Sequence, residues 1–166
     1  GYVVDDAITK ELMEKYRLVV EVYQAMSDEY GQDAALKVIA SAWINYGKQN
    51  MANRAEELGD NSLEALGATF TNYQGKEVDV TVDEASAEKV AIRITRCGHY
   101  DAFKELGAPE VCVKYCESDY EACKSFNPDI KMIRDKILPD GDDHCNHTLK
   151  NTIEIQPHNW RCCNAR

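Results

Sequence analysis

Val78-Asp79-Val80-Thr81-Val82 and Val90-Ala91-Ile92-Arg93-Ile94-Thr95 are the two stretches on which the fold turns. In each, β-branched apolar residues alternate with polar or small ones, which gives a strand one buried face and one wet face. Asp83 to Ala87 between them supplies the turn of a hairpin. Before Gly75 the period is different. Leu12, Tyr16, Val19, Val20, Tyr23 and Met26 recur at helical spacing, and Gly31 is placed to stop that helix. Asp33 reads as the N-cap of a second helix carrying Leu36, Ile39, Ala40 and Trp43 and ending near Gly47. Lys48 to Asp60 reads as a weaker helix, and Asn61 or Ser62 starts another with Leu63, Leu66 and Phe70.

Beyond the hairpin, Pro109 suits the first turn of a helix running to about Ser125, and Asn127-Pro128 ends it. Two more strands are expected, about Lys131 to Leu138 and about His144 to Ile155, joined at Pro139-Asp140-Gly141. The sum is an α+β fold: N-terminal helices followed by a mostly antiparallel four-stranded sheet with one inserted helix. The chain has 166 residues, near the commonest domain size, so residues 1–166 are expected to form a single domain. Its parts would be a helical half (1–75), a sheet half (76–156) with the helix 109–125, and a tail (157–166).

A net charge of -10 leaves no basic face to neutralise phosphates, which argues against nucleic acid and anionic membranes as partners. The apolar run around Leu18 to Val20 is far too short for a bilayer, and Val4-Asp5-Asp6 is unlike a signal peptide. A cytoplasmic protein with reduced thiols is the expectation. Seven cysteines cannot all pair within one chain. The sequon Asn146-His147-Thr148 carries no chemistry in such a setting.

Chemistry concentrates between Arg96 and His147. Cys112, Cys116 and Cys123 fall on one side of the expected helix, with Asp119 beside them. Cys112 and Cys123 by themselves fit plain core packing, since free cysteine is among the most buried residues. Asp119 does not, because a carboxylate on a core-facing stripe needs a partner. Cys97 ends one strand and Cys145 begins another, and His147 shares the face of Cys145, whereas His144 points the other way and reads as a solvated turn residue.

These residues carry a resemblance. Arg96-Cys97, the run Tyr100 to Gly107, Cys116-Glu117-Ser118-Asp119, Phe126-Asn127-Pro128 and Gly141-Asp142-Asp143-His144-Cys145 resemble the signature of the L-2-amino-thiazoline-4-carboxylic acid hydrolase family, mainly over residues 90–150. The chain departs from that pattern at His99, at Asn146-His147 and at Arg161-Cys162-Cys163. The resemblance implies hydrolytic opening of a small cyclic amidine. Cys116 would be the nucleophile, Asp119 would orient a base or protonate the ring nitrogen, and His147 would be the base. Arg96 would clamp a substrate carboxylate, with Tyr100 beside it in the substrate site.

Two other chemistries suit the same residues. Thiolates of Cys97, Cys116 and Cys145, with His147 or a water as fourth ligand, match the donor preference of zinc. An iron–sulfur cluster fits less well, because closely spaced cysteine runs are missing. The pocket could instead bind a ligand or sense redox state without turnover, with Cys162-Cys163 as an oxidisable tail.

Overall fold

The computed structural model describes residues 6–72 and 76–152. The expected tail, Cys162 and Cys163, and the end of the last strand beyond Thr152 lie outside the described residues.

Helix α1 (Asp6–Tyr30) buries Leu12, Tyr16, Val20 and Tyr23, the stripe anticipated from their spacing, and Gly31 at φ 87° ends it. Helix α2 (Gln32–Leu58) differs from expectation, since it runs unbroken through Gly47 and stops only at Gly59, where φ is 60°. A mid-helix glycine costs about 1 kcal/mol in isolation. Here it faces a packed neighbour, since a Cβ on Gly47 would meet Ala122 Cβ at 3.4 Å and Ser118 Oγ at 3.6 Å, ordinary contact distances. Gly31, not Asp33, is the N-cap, and Asp33 lies in the first turn, where the helix dipole favours a carboxylate. Helix α3 (Leu63–Thr71) is capped by Ser62, whose hydroxyl accepts from the Ala65 amide at 3.2 Å.

Strands β1 (Val78–Ala85) and β2 (Lys89–Cys97) form the hairpin with a tighter turn than expected, closed by Ser86 and Lys89. The single inserted helix is in fact three: α4 (Gly98–Glu105), α5 (Pro109–Glu117) and α6 (Asp119–Phe126). At Ser118 the hydroxyl donates to the Tyr115 carbonyl at 2.6 Å, the kind of side-chain competition that interrupts a helical ladder. Strand β3 (Ile130–Ile133) is shorter than expected. Past it the amides of Asp135 and Lys136 bond the Asn146 side chain and that of Ile137 bonds Asp142, so the chain leaves the sheet. Strand β4 (Cys145–Asn151) pairs with both β2 and β3, giving an antiparallel sheet in the order β1-β2-β4-β3.

Two apolar clusters hold these elements. One lies under the sheet, with Leu66, Ile92, Cys123, Phe126 and Leu149; the other joins α1, α2, α4 and α5 through Tyr16, Ile39, Phe103, Val111 and Cys112. Cys112 and Cys123 are both fully buried, but in different clusters, so the shared thiol face expected of one continuous helix does not form.

Gly98 couples the two halves. Its amide donates to the Glu77 carbonyl at 2.7 Å, and a Cβ would fall 2.8 Å from that same oxygen and 3.1 Å from Leu12 Cδ1. Gly98→Ala is therefore expected to cost about 1–3 kcal/mol, as overpacking against backbone does. Denaturant unfolding checks this, and an unchanged midpoint would show that β2 and α4 can shift apart freely.

Candidate functional site

Between the two clusters lies a cavity of about 700 Å³. Helix α2 contributes Trp43, Gly47 and Met51, α3 contributes Phe70, and the sheet contributes Ile94, Cys97, Cys145 and His147. Tyr115 and Cys116 enter from α5, Asp119 from α6, and Arg134 from the segment just after β3. Cys97, Cys116, Asp119, Cys145 and His147 thus line one space, as residues from two strands and the α5–α6 break. Arg96 and Tyr100 are not in that wall. Arg96 is buried against Asp79 (3.0 Å) and the Lys76 carbonyl (3.1 Å), and Tyr100 lies under Lys104, whose Nζ is 4.8 Å from its ring.

Arg134 organises the polar side of the cavity, and its side chain is only 4% exposed. One terminal nitrogen donates to Asp119 Oδ2 at 2.7 Å and to His147 Nε2 at 2.6 Å; the other donates to the Cys116 carbonyl at 2.9 Å, occupying an end-of-helix oxygen of α5. A guanidinium only donates, so His147 Nε2 must present its lone pair and the ring proton sits on Nδ1. That lone pair is therefore occupied. Asp119 Oδ2 is 3.8 Å from His147 Nε2, beyond hydrogen-bond length. Burial, with the adjacent Arg134 charge adding to it, holds the His147 imidazole below its ordinary pKa, so the ring is neutral near pH 7. Burial opposes the Arg134 charge too, yet the groups around it, the Asp119 carboxylate foremost, together raise the guanidinium.

Burial pushes the thiols of Cys97 and Cys145 up, and a hydrogen bond to Cys116 together with burial does the same for Cys112. Cys123, away from the cavity, is pushed up to about 12 by burial. Among the described residues no three His, Cys, Asp or Glu side chains converge to hold a metal ion. Cys97, Cys116 and Cys145 are thiols of a shared wall.

Sequence reasoning missed Arg134, Trp43, Phe70 and Tyr115. For Arg134 a signal existed: Ile130 and Met132 are the buried residues of β3, and Arg134 continues their alternation as a cation at the end of an apolar face. Phe70 packs its ring 5.4 Å from that of His147, and Trp43 lies 4.9 Å from Tyr115.

A family model described as L-2-amino-thiazoline-4-carboxylic acid hydrolase matches residues 11–148. The chain belongs to that family. The match reaches back through α2 into α1, well beyond the stretch 90–150 on which the resemblance was first legible. No curated protein matches the chain in sequence. Among solved structures, the chain is similar to the phenol-responsive sensory domain of the transcription activator PoxR, determined with phenol. The two share 14% identity at a TM-score of 0.50, over 81% of this chain and 73% of that one, which is a likeness of fold. No helix among the described residues is long and apolar enough to cross a membrane.

Proposed function

We propose that this member of the family is a hydrolase that opens a small cyclic amidine of the 2-amino-thiazoline-4-carboxylate type in the cavity between the two cores. The observation that carries the reading is the meeting of Cys116, Asp119 and Arg134 on one wall of a space large enough for such a ring. In this reading Cys116 attacks the amidine carbon. The Asp119 carboxylate, 29% exposed and fixed by Arg134, contacts the ring nitrogens. A planar amidine presents two N–H groups that match a carboxylate in two parallel hydrogen bonds. His147 takes a different part from the one its position suggested, because its lone pair is held by Arg134. It positions the guanidinium, and through it Asp119.

The direct experiment is incubation with 2-amino-thiazoline-4-carboxylate, following loss of the ring and appearance of N-carbamoyl cysteine. Turnover supports the hydrolase. Saturable binding without ring opening would replace it with the second reading, a ligand-binding domain. That reading is favoured by the aromatic wall of Trp43, Phe70 and Tyr115 and by the fold shared with a phenol-responsive sensory domain. Phenol itself is the probe for it, in a calorimetric titration.

A further inference from the structure

Among the described residues, two guanidinium groups line the cavity, those of Arg134 and Arg54. Arg134 is committed to Asp119, His147 and the Cys116 carbonyl. Arg54 is held far more loosely. It pairs with Glu57 at 3.7 Å, with the two side chains 38% and 69% exposed, a separation and exposure at which water screens the attraction.

Helix α2 sets where Arg54 stands. Trp43, Gly47, Asn50, Met51 and Arg54 recur at spacings of three and four, so one stripe of the helix lines the space. Gly47 meets Ser118 and Ala122 at the start of α6, and past the far ends of both helices Asn127 Nδ2 donates to the Asn61 carbonyl at 2.8 Å. The two helices therefore run side by side in the same direction. Asp119 lies level with Gly47, and Arg54 stands two turns farther along α2, about 10 Å of helix rise. A long side chain on a helix leans toward the helix N-terminus, which carries the Arg54 guanidinium back toward Asn50 and the Asp119 end of the space. The cavity thus has a carboxylate at one end and a loosely held cation at the other, with the apolar Met51 between them on α2.

The charges suit a molecule with a polar group at each end. Of the carboxylates and guanidiniums on the wall, Asp119 and Glu57 offset Arg134 and Arg54, so a ligand bearing one positive and one negative end leaves no charge unmatched. We propose that Arg54 clamps the carboxylate of the substrate while Asp119 holds the amidine end, which makes the site selective for small cyclic amidines that carry an acid group. The proposal rests on the reading of the cavity as the place of ring opening. A guanidinium and a carboxylate meet in two parallel N–H···O bonds. The side-chain amides of Asn50, Asn53 and Asn72, also on the wall, supply further N–H donors for the same oxygens. The part that the family resemblance implied for Arg96 passes to a residue of the cavity itself. Arg54 acts on the end of the substrate away from the carbon attacked, so its contribution is to binding and orientation.

The test pairs one substitution with two ligands. Arg54→Gln keeps the helix and removes the charge; 2-amino-thiazoline keeps the ring and lacks the carboxylate. In the full chain with and without the substitution, kcat and KM are measured for 2-amino-thiazoline-4-carboxylate, and the inhibition constant for 2-amino-thiazoline. Arg54→Gln is expected to raise KM about tenfold to a hundredfold, the effect of losing a charge-assisted pair. The change in kcat should stay within about threefold, as for a contact made equally in ground and transition states, and the inhibition constant of 2-amino-thiazoline should not move. Arg54→Lys should recover part of the loss, because it returns the charge without the fork. A KM for Arg54→Gln within about threefold of the unaltered chain would overturn the clamp. So would an equal loss for both ligands, which would mean that Arg54 shapes the cavity and does not read the carboxylate. Turnover that Arg54→Gln leaves unchanged removes the clamp alone. If the chain opens no ring, the hydrolase reading falls and calorimetric titration with the same two compounds decides the clamp. Weakened binding of the carboxylate-bearing compound alone in Arg54→Gln keeps it, whereas an equal change for both, or binding of neither by the unaltered chain, removes it.

Discussion

Cys116→Ser is expected to lower the turnover of 2-amino-thiazoline-4-carboxylate by about a thousandfold or more, the scale on which removal of a covalent nucleophile acts, while binding of the same molecule changes only a few-fold. Cys116 is half-buried on the cavity wall, and its carbonyl, held by Arg134, belongs to the backbone and survives the substitution. Serine is nearly isosteric, so the cavity and the fold should persist and the melting temperature should hardly move. What is lost is the ionisable sulfur, because an alcohol of ordinary acidity is a poor nucleophile without strong activation. A variant that turned the ring over within tenfold of the starting rate would remove the covalent mechanism. Water attack steered by Asp119 would then be the natural successor.

Arg134→Met should produce the largest loss of stability of any single change in the site. The substitution keeps an unbranched chain of similar reach but withdraws the cation from Asp119, the donor from His147 Nε2 and the donor from the Cys116 carbonyl. Breaking a buried pair by removing one partner typically costs about 3–5 kcal/mol, since the other charge is left behind. At roughly 2–4 °C per kcal/mol for a chain of this size, the melting temperature should fall by roughly 6–20 °C. Adding Asp119→Asn should return part of that loss, because the stranded charge is then gone; a double variant no better than the single one would mean that hydrogen bonds, not charge, set the cost. A drop of under about 1 kcal/mol for Arg134→Met would show that water replaces the guanidinium as readily as at a surface.

The places where sequence reading met its bounds are specific. The α1 stripe, the Ser62 cap, the hairpin and the α+β character all follow from local rules, because each depends on residues a few positions apart and on a period that either matches a helix or a strand. Gly47 and Ser118 defeated those rules in opposite directions. Gly47 reads locally as a stop but is spanned, because α2 packs along α5 and α6 and tertiary contact outweighs the local cost of one glycine. Ser118 reads locally as one more helical position but divides α5 from α6, because its hydroxyl takes the Tyr115 carbonyl. The alternation of Ile130 and Met132 marks Arg134 as inward-facing, but nothing within a few positions of it shows that Asp119, fifteen residues earlier, and His147, thirteen later, both close on its guanidinium.

The sequence by itself determined the family, the α+β class, and the thiols, carboxylate and imidazoles available for chemistry. Only the tertiary structure decided which of them meet and in what state. It put Arg96 against Asp79, placed Cys112 and Cys123 in separate cores, and assigned the two buried imidazoles different partners. His147 is held neutral under a guanidinium, while His99 is backed by a carboxylate. The physical reason is that a side chain's period is fixed by its own backbone, whereas its charge state depends on burial and on which distant groups come within a few ångströms.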